Sequence, residues 1–344
     1  MRHGKKATKG KLELIGVSGT AKINLNTRTL NTFEQLELQP GKAICYSGFR
    51  DGQYPGGEYP TYDQVKEDLL ILQDEWKYLR LYDSSTHAHT VLEVIRKEQL
   101  DFKIMLGADI GAEVNNFNCP WGGGVYDEDE LEANKEINRR KIDALIELGN
   151  TYEDIIFSLS IGNEACVDWT DHYVPEKNVL AYAKKVKANT KQLVTFCENY
   201  VPWLHKLSNL AEYLDFISIH SYPVWEYKNI SEGLAYTKQN YYSVAEKFPD
   251  KTVVITEAGW ATKSNGRGIE ADNVNEGFQK IYFEELMEWT EKNGILTFYF
   301  EAFDENWKGS PDRWEPEKHW GLYRADRTPK LAVNPNYSTQ RTHF

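Results

Sequence analysis

Residues 155–164 read Ile-Ile-Phe-Ser-Leu-Ser-Ile-Gly-Asn-Glu, and this stretch decides the fold. Five of its first seven residues are apolar and do not alternate with polar ones, which is how a strand buried on both faces of a parallel sheet reads. The run stops at Gly162-Asn163-Glu164, so Glu164 stands at the C-terminal tip of a strand. TVVITEAGW at 252–260 has the same form: a β-branched run delivers Glu257, then Ala258, Gly259 and Trp260.

Outward from these two runs the chain repeats one unit. Strand-like segments stand at 43–49 (AICYSGF), 78–83 (YLRLYD), 102–109 (FKIMLGAD), 192–199 (QLVTFCEN), 214–223 (LDFISIHSYP) and 295–307 (ILTFYFEAFDENW), with helical sequence between them. The first helix opens on the capping box Thr61-x-x-Gln64 and aligns Tyr62, Val65, Leu69, Leu72 and Trp76 on one face. The last aligns Phe278, Ile281, Tyr282, Leu286 and Trp289 and stops at Asn293-Gly294. The acidic run from Asp127 to Glu132 reads as a solvated helix start, where carboxylates are favoured.

Eight strands alternating with helices predict an α/β fold, a single-domain (β/α)8 TIM barrel over residues 41–335. Residues 1–40 read as an N-terminal extension, a basic tail followed by a hairpin (LELIGV, AKINL) closing one end of the barrel, and 336–344 as a C-terminal tail. No GxGxxG or phosphate loop follows the first strand, which argues against nucleotide binding.

Composition narrows the partner. A net charge of −12 over 344 residues repels nucleic acid, and no apolar run approaches the roughly 18 residues of a membrane span. The opening MRHGKKATKG lacks the apolar core of a secretory signal, so the expectation is either a cytoplasmic protein or one whose signal has been removed. Cys45, Cys119, Cys166 and Cys197 have no paired spacing and are expected as free, mostly buried thiols, with no metal and no cofactor. His87-Ala88-His89 has no third ligand at suitable spacing and is expected on a solvated loop. The 10 Trp and 21 Tyr exceed what the core needs, so the surplus is expected to line a site.

In a barrel the strand tips converge on one face, where active sites lie. Here they carry Tyr46, Tyr82, Asp83, Asn163, Glu164, Glu198, His220, Tyr222, Glu257, Glu301 and Asp304, a set rich in carboxylates and aromatics and poor in lysine. Such a set suits a neutral sugar, with aromatics stacking on its face and carboxylates holding its hydroxyls. Strands four and seven face each other across the barrel, so Glu164 and Glu257 form the candidate acid–base pair. A retaining glycosidase needs its two carboxyls only about 5–5.5 Å apart. A lone Asn-Glu is ordinarily a helix cap or a turn; what lifts Glu164 above that reading is Glu257 together with the barrel alternation. Trp260, Trp307 and Trp320 are expected as a sugar platform, Trp121, Trp169 and Trp225 as further loop aromatics, and His220 as a hydrogen-bonded pocket wall.

The sequence resembles glycoside hydrolase family 17, the β-1,3-glucanase-like enzymes within the clan of retaining (β/α)8 glycosidases. The resemblance is carried by Cys45-Tyr46, Arg80-Leu81-Tyr82, Ile161-Gly162-Asn163-Glu164, Tyr222-Pro223, Thr256-Glu257-Ala258-Gly259-Trp260, Phe303-Asp304-Glu305-Asn306-Trp307-Lys308 and Glu317-Lys318-His319-Trp320-Gly321-Leu322, in the family's order. It implies Glu257 as nucleophile, Glu164 as acid/base, Asn163 as a ligand for the 2-hydroxyl, and Tyr222 as the hydroxyl that positions the nucleophile. It also implies that Glu305, Lys308 and Glu317 form the polar cluster beside the nucleophile. The implied activity is retaining hydrolysis of β-1,3-glucan by an extracellular, periplasmic or cell-surface enzyme. Two alternatives are a glucanosyltransferase on the same site and a β-glucan-binding barrel without catalysis. The chain departs from the plant members in Glu301, in its N-terminal stretch, and in the long loop containing Trp121-Gly122-Gly123-Gly124. A wall formed by that loop across the cleft would favour attack from a chain end.

Overall fold

The computed structural model describes residues 31–120 and 122–334. Eight parallel strands close on themselves in sequence order: β1 (Ala43–Cys45), β2 (Tyr78–Leu81), β3 (Lys103–Gly107), β4 (Ile156–Asn163), β5 (Leu193–Asn199), β6 (Phe216–His220), β7 (Thr252–Ala258) and β8 (Thr297–Tyr299). β8 returns to β1 in register Ala43↔Phe298 and Ile44↔Tyr299. All eight strands expected from the sequence are present, and most of them end before the expected segment does. Beyond Asn163, Ala258 and Tyr299 the chain turns out of the sheet to build the rim.

The helices follow from local sequence. α2 (Tyr62–Leu72) starts on the capping box at Thr61, with both reciprocal bonds made, and buries Val65, Leu69 and Leu72. α3 (Thr86–Glu98), α4 (Glu128–Thr151), α5 (Glu176–Asn189), the short α6 (Tyr200–His205) and α7 (Ser208–Tyr213), α8 (Ile230–Lys247) and α9 (Glu276–Lys292) complete the outer ring. Asp127 caps α4 by accepting from the Glu130 N–H, and three carboxylates occupy its first turn, as the acidic run implied. α9 ends at Asn293, followed by Gly294 at φ 61°, where a side chain is disfavoured. Among the described residues no helix is long and apolar enough to cross a membrane.

One expectation falls outside the described residues and one needs correction. The LELIGV and AKINL pieces lie outside the described residues, but the stretch before β1 is helical: α1 (Thr32–Gln35) is capped by Asn31. It seals the N-terminal end of the barrel, where the Thr32 hydroxyl donates to the Gly294 carbonyl and accepts the Leu296 N–H. His87 and His89 lie on α3, not on a loop. His87 is buried there, its Nε2 accepting the Gly48 N–H at 2.9 Å, because the sequence from Ser85 onward starts a helix whose apolar side faces the barrel. Cys45, Cys166 and Cys197 are buried free thiols and Cys119 is half-buried.

Candidate active site

The strand tips open into a cleft of about 1180 Å³. β4 delivers Glu164 and β7 delivers Glu257, as the two apolar runs predicted, and both border the cleft. The tip of β7 is packed against the rim leaving β8: a side chain at Gly259 would place its Cβ 2.1 Å from the Phe300 carbonyl. Only glycine permits that approach.

Glu257 is buried among cations and donors. Arg80 from the middle of β2 pairs with Oε1, the Tyr222 hydroxyl donates to Oε2, and His220 Nδ1 lies 3.5 Å from Oε2. Burial alone would raise this carboxyl, but His220, Arg80 and Tyr222 outweigh it and hold Glu257 well below the ordinary carboxylate range. These contacts favour the ionised form of Glu257. The same His220 Nδ1 lies 2.9 Å from Glu164 Oε1. Burial disfavours the imidazolium, yet Glu257, the Cys197 thiol and Glu164 together lift His220 to about 10. One ring nitrogen within 2.9 and 3.5 Å of two carboxyl oxygens keeps them closer than the about 6.5–9.5 Å of an inverting pair.

Arg80 has a second duty, since its other terminal nitrogen donates to Asn163 Oδ1 at 2.5 Å. That fixes the amide so that its nitrogen, with no partner among the described residues, stays on the cleft wall. The guanidinium also lies over the Tyr82 ring, 4.4 Å from its centroid. Arg80 did not stand out in the sequence as a site residue. The available signal was a lone cation inside the apolar run YLRLYD, since a buried arginine must be paired.

Glu305 and Lys308 form one cluster with Glu301: Lys308 Nζ lies 2.8 Å from Glu301 and 2.5 Å from Glu305, while Ser47 and Trp307 Nε1 donate to Glu305. Burial would lower Lys308, but the two carboxylates raise it further and keep it charged. Glu317 borders the cleft beside this cluster, and burial pushes it up to about 7 against the pull of Lys308. Tyr46, Tyr82 and Asp83 also border the cleft. The hydroxyl of Tyr46 is already given to Asp68 at 3.1 Å, and Asp83 accepts from the Ser85 hydroxyl at 2.6 Å.

The tryptophans divide. Trp307, 38% exposed, borders the cleft, as do Trp169, Trp225 and Trp320. Trp260 does not: it is fully buried against Tyr282, and its Nε1 donates to the Asn273 carbonyl. Its place in the sugar platform is withdrawn, because the turn after Gly259 sends the indole outward between barrel and helices. Trp320 borders the cleft but is itself buried, edge-on to Tyr222 at 5.1 Å and to Phe300 at 5.7 Å. Trp121 lies outside the described residues. Of the described part of the long loop after β3, only Asp109 borders the cleft, so that part forms no wall across it. Among the described residues no group of histidines, cysteines and carboxylates is arranged to hold a metal ion.

Residues 43–321 match the family model of the BtgE/BtgC glycoside hydrolase domain. A glucan 1,3-beta-glucosidase of Arthroderma benhamiae is 24% identical over 219 residues, which cover 58% of this chain and 68% of that one. A probable glucan endo-1,3-beta-glucosidase of Aspergillus clavatus is 26% identical over 301 residues, 80% of this chain but only 39% of its relative. Thus the chain spans about two fifths of the length of the Aspergillus relatives it matches. Among solved structures, an endo-laminarinase from Formosa superposes with a TM-score of 0.73 at 25% identity, covering 85% of each chain. A family 17 β-1,3-glucanosyltransferase from Rhizomucor miehei superposes with a TM-score of 0.65 at 20% identity, covering 86% of this chain and 97% of that one, which is a likeness of fold.

Proposed function

The chain belongs to the BtgE/BtgC glycoside hydrolase domain family, and from that premise we propose that it cleaves β-1,3-glucan with retention of configuration, Glu257 as nucleophile and Glu164 as acid/base. The observation that carries the reading is the imidazole of His220 between the two carboxyls, with Glu257 further ionised by Arg80 and Tyr222. In the first step Glu257 attacks the anomeric carbon while Glu164 gives its proton to the departing glycosidic oxygen. Esterification removes the charge of Glu257, which favours the ionised form of Glu164 as base toward water in the second step. Asn163, braced by Arg80, offers its amide nitrogen to the 2-hydroxyl, where hydrogen bonds strengthen in the transition state. Trp307 provides an apolar face for the sugar ring.

Replacing Glu257 by Gln tests this. Turnover of laminari-oligosaccharides should vanish while the variant still folds, and a proton NMR time course of the unmodified enzyme should show the β-anomer forming first. Normal turnover in the variant, or first-formed α-anomer, would sink the assignment.

Transfer to a sugar acceptor is the second reading, favoured by Trp169, Tyr200 and Trp225 along the cleft wall. Products longer than the starting oligosaccharide in the same time course would decide for it. Polymeric glucans are met outside the cytoplasm, so either reading implies an extracellular, periplasmic or cell-surface enzyme. The source organism's precursor sequence checks that.

A further inference from the structure

The loop after β4, residues 164–175, carries a pair of groups that the reaction above does not use. His172 turns its ring back toward the tip of its own strand, with Nε2 2.9 Å from the Asn163 carbonyl and Nδ1 2.7 Å from an Asp171 carboxylate oxygen. Both of those partners only accept, so a ring that keeps both contacts carries two protons and a positive charge. Burial disfavours that charge, but Asp171, the Asn163 carbonyl and, last, Glu164 outweigh it, and His172 is raised above the ordinary histidine range. The Thr170 hydroxyl, 3.0 Å from Nδ1, completes the ring's polar surroundings.

The peptide carbonyl that His172 grips is the one joining Asn163 to Glu164. Glu164 sits at φ 45°, in the left-handed region that residues with a β-carbon seldom occupy, and something must hold it there. Its own N–H is tied to the Cys197 carbonyl at 2.9 Å, and the His172 contact holds the carbonyl of that same peptide group from its opposite edge, so the plane from which the turn starts is fixed on both edges. The long loop after β3 fixes the pair in turn. Asn116 Nδ2 donates to the Asp168 and Thr170 carbonyls at 2.9 and 2.7 Å, the Tyr126 hydroxyl donates to the Asp171 carbonyl at 2.9 Å, and the Glu113 N–H donates to the Tyr173 carbonyl at 3.0 Å.

We propose that Asp171 and His172 are positioning residues for Glu164, holding through the Asn163 carbonyl the left-handed turn that aims the Glu164 carboxyl at the leaving-group oxygen. The long β3 loop is then the buttress of this device. The inference rests on Glu164 being the acid/base.

The test exploits the leaving group. An aryl β-glycoside of the same sugar releasing dinitrophenolate needs no proton in the first step, whereas a laminari-oligosaccharide does, and azide can replace base-assisted water in the second step. Glu164→Gln serves as the reference: it should lose oligosaccharide turnover, keep its burst of dinitrophenolate, and regain aryl-glycoside turnover with azide. His172→Ala should show the same split in smaller measure, kcat on the oligosaccharide falling about 10- to 100-fold with KM little changed and the burst rate within about twofold. His172→Gln, whose amide can still donate to the Asn163 carbonyl, should recover part of the loss, and it also serves if the alanine variant does not fold. A His172 variant that loses equally on both substrates, or on neither, while Glu164→Gln shows the split, overturns the inference alone. If Glu164→Gln shows no split, the acid/base reading falls first and takes the inference with it.

Discussion

Arg80 is the residue on which most of the site depends. It touches both the proposed nucleophile and Asn163, so an apolar substitute of similar length should affect ionisation and geometry together. For Arg80→Met we expect the acidic limb of kcat/KM to move to higher pH, because the pull that holds Glu257 down is reduced, and kcat to drop by about 100-fold. Stability should fall by about 3 kcal/mol in urea titrations, since a buried carboxylate loses its best partner. An unchanged acidic limb would show that His220 and Tyr222 alone set the ionisation of Glu257. The tryptophans give a matched contrast. Trp260→Ala should cost about 3–5 kcal/mol through the cavity and the lost hydrogen bond to Asn273, with KM of the surviving enzyme little altered. Trp307→Ala should raise KM for laminari-oligosaccharides severalfold and leave the unfolding midpoint nearly unmoved. Equal effects on KM from both would restore Trp260 to the platform. At this scale the sequence carried the carboxylates well, because a glutamate at the end of an apolar run is conspicuous. It could not tell an indole in the cleft from one behind it, since a turn after Gly259 decides that and leaves no trace in periodicity.

Among the elements, α1 shows how little chain is needed to seal a barrel end. The Thr32 hydroxyl gives the buried Leu296 N–H its partner just before β8, and valine has nearly the same shape without that oxygen. Thr32→Val should therefore cost about 1–3 kcal/mol, the cost of an unsatisfied buried donor. Oligosaccharide turnover should stay within about twofold, because α1 lies at the end of the barrel away from the strand tips. A large loss of activity without loss of stability would contradict that separation. Helices were legible wherever caps and stripes agreed, as at Thr61, Asp127 and Asn293-Gly294. α1 was not: four residues give no periodicity, and its alternating upstream neighbours suggested a hairpin. The part played by the loop after β3 is hidden in the sequence for a related reason. Its length was visible, but whether it covers the cleft or braces the neighbouring loop depends on side-chain contacts such as those of Asn116, which spacing does not encode.

Taken as a whole, the molecule binds protons in its site in a way that fixes the sign of its pH–stability curve. His220 has a folded value raised to about 10, so its stabilising contribution is complete below the unfolded value of about 6.5 and disappears as pH rises through 10. Glu317, pushed up to about 7 by burial, also binds its proton more tightly in the folded state, so its ionisation above about 4.5 costs stability up to about pH 7. Glu257 acts in the opposite sense. Its depressed carboxyl contributes stability above about pH 4.5 that is lost as pH falls toward its folded value. The net charge of −12 adds self-repulsion that grows on the alkaline side. His220, Glu317 and the net charge point the same way above pH 5, while the lowered His87 and Cys197, the latter brought to about 7, act against them. The first group holds the larger shifts, so the unfolding midpoint should be highest near pH 5 and decline toward pH 10. Thermal unfolding at constant ionic strength in half-unit steps measures this, and Glu317→Gln should flatten the segment between pH 5 and 7 while leaving the decline above pH 8. A midpoint that rises from pH 5 to 8 would mean that the site holds fewer protons than its geometry requires. The imidazolium between Glu164 and Glu257 would then have to be neutral, and the ionised nucleophile would rest on Arg80 and Tyr222 alone.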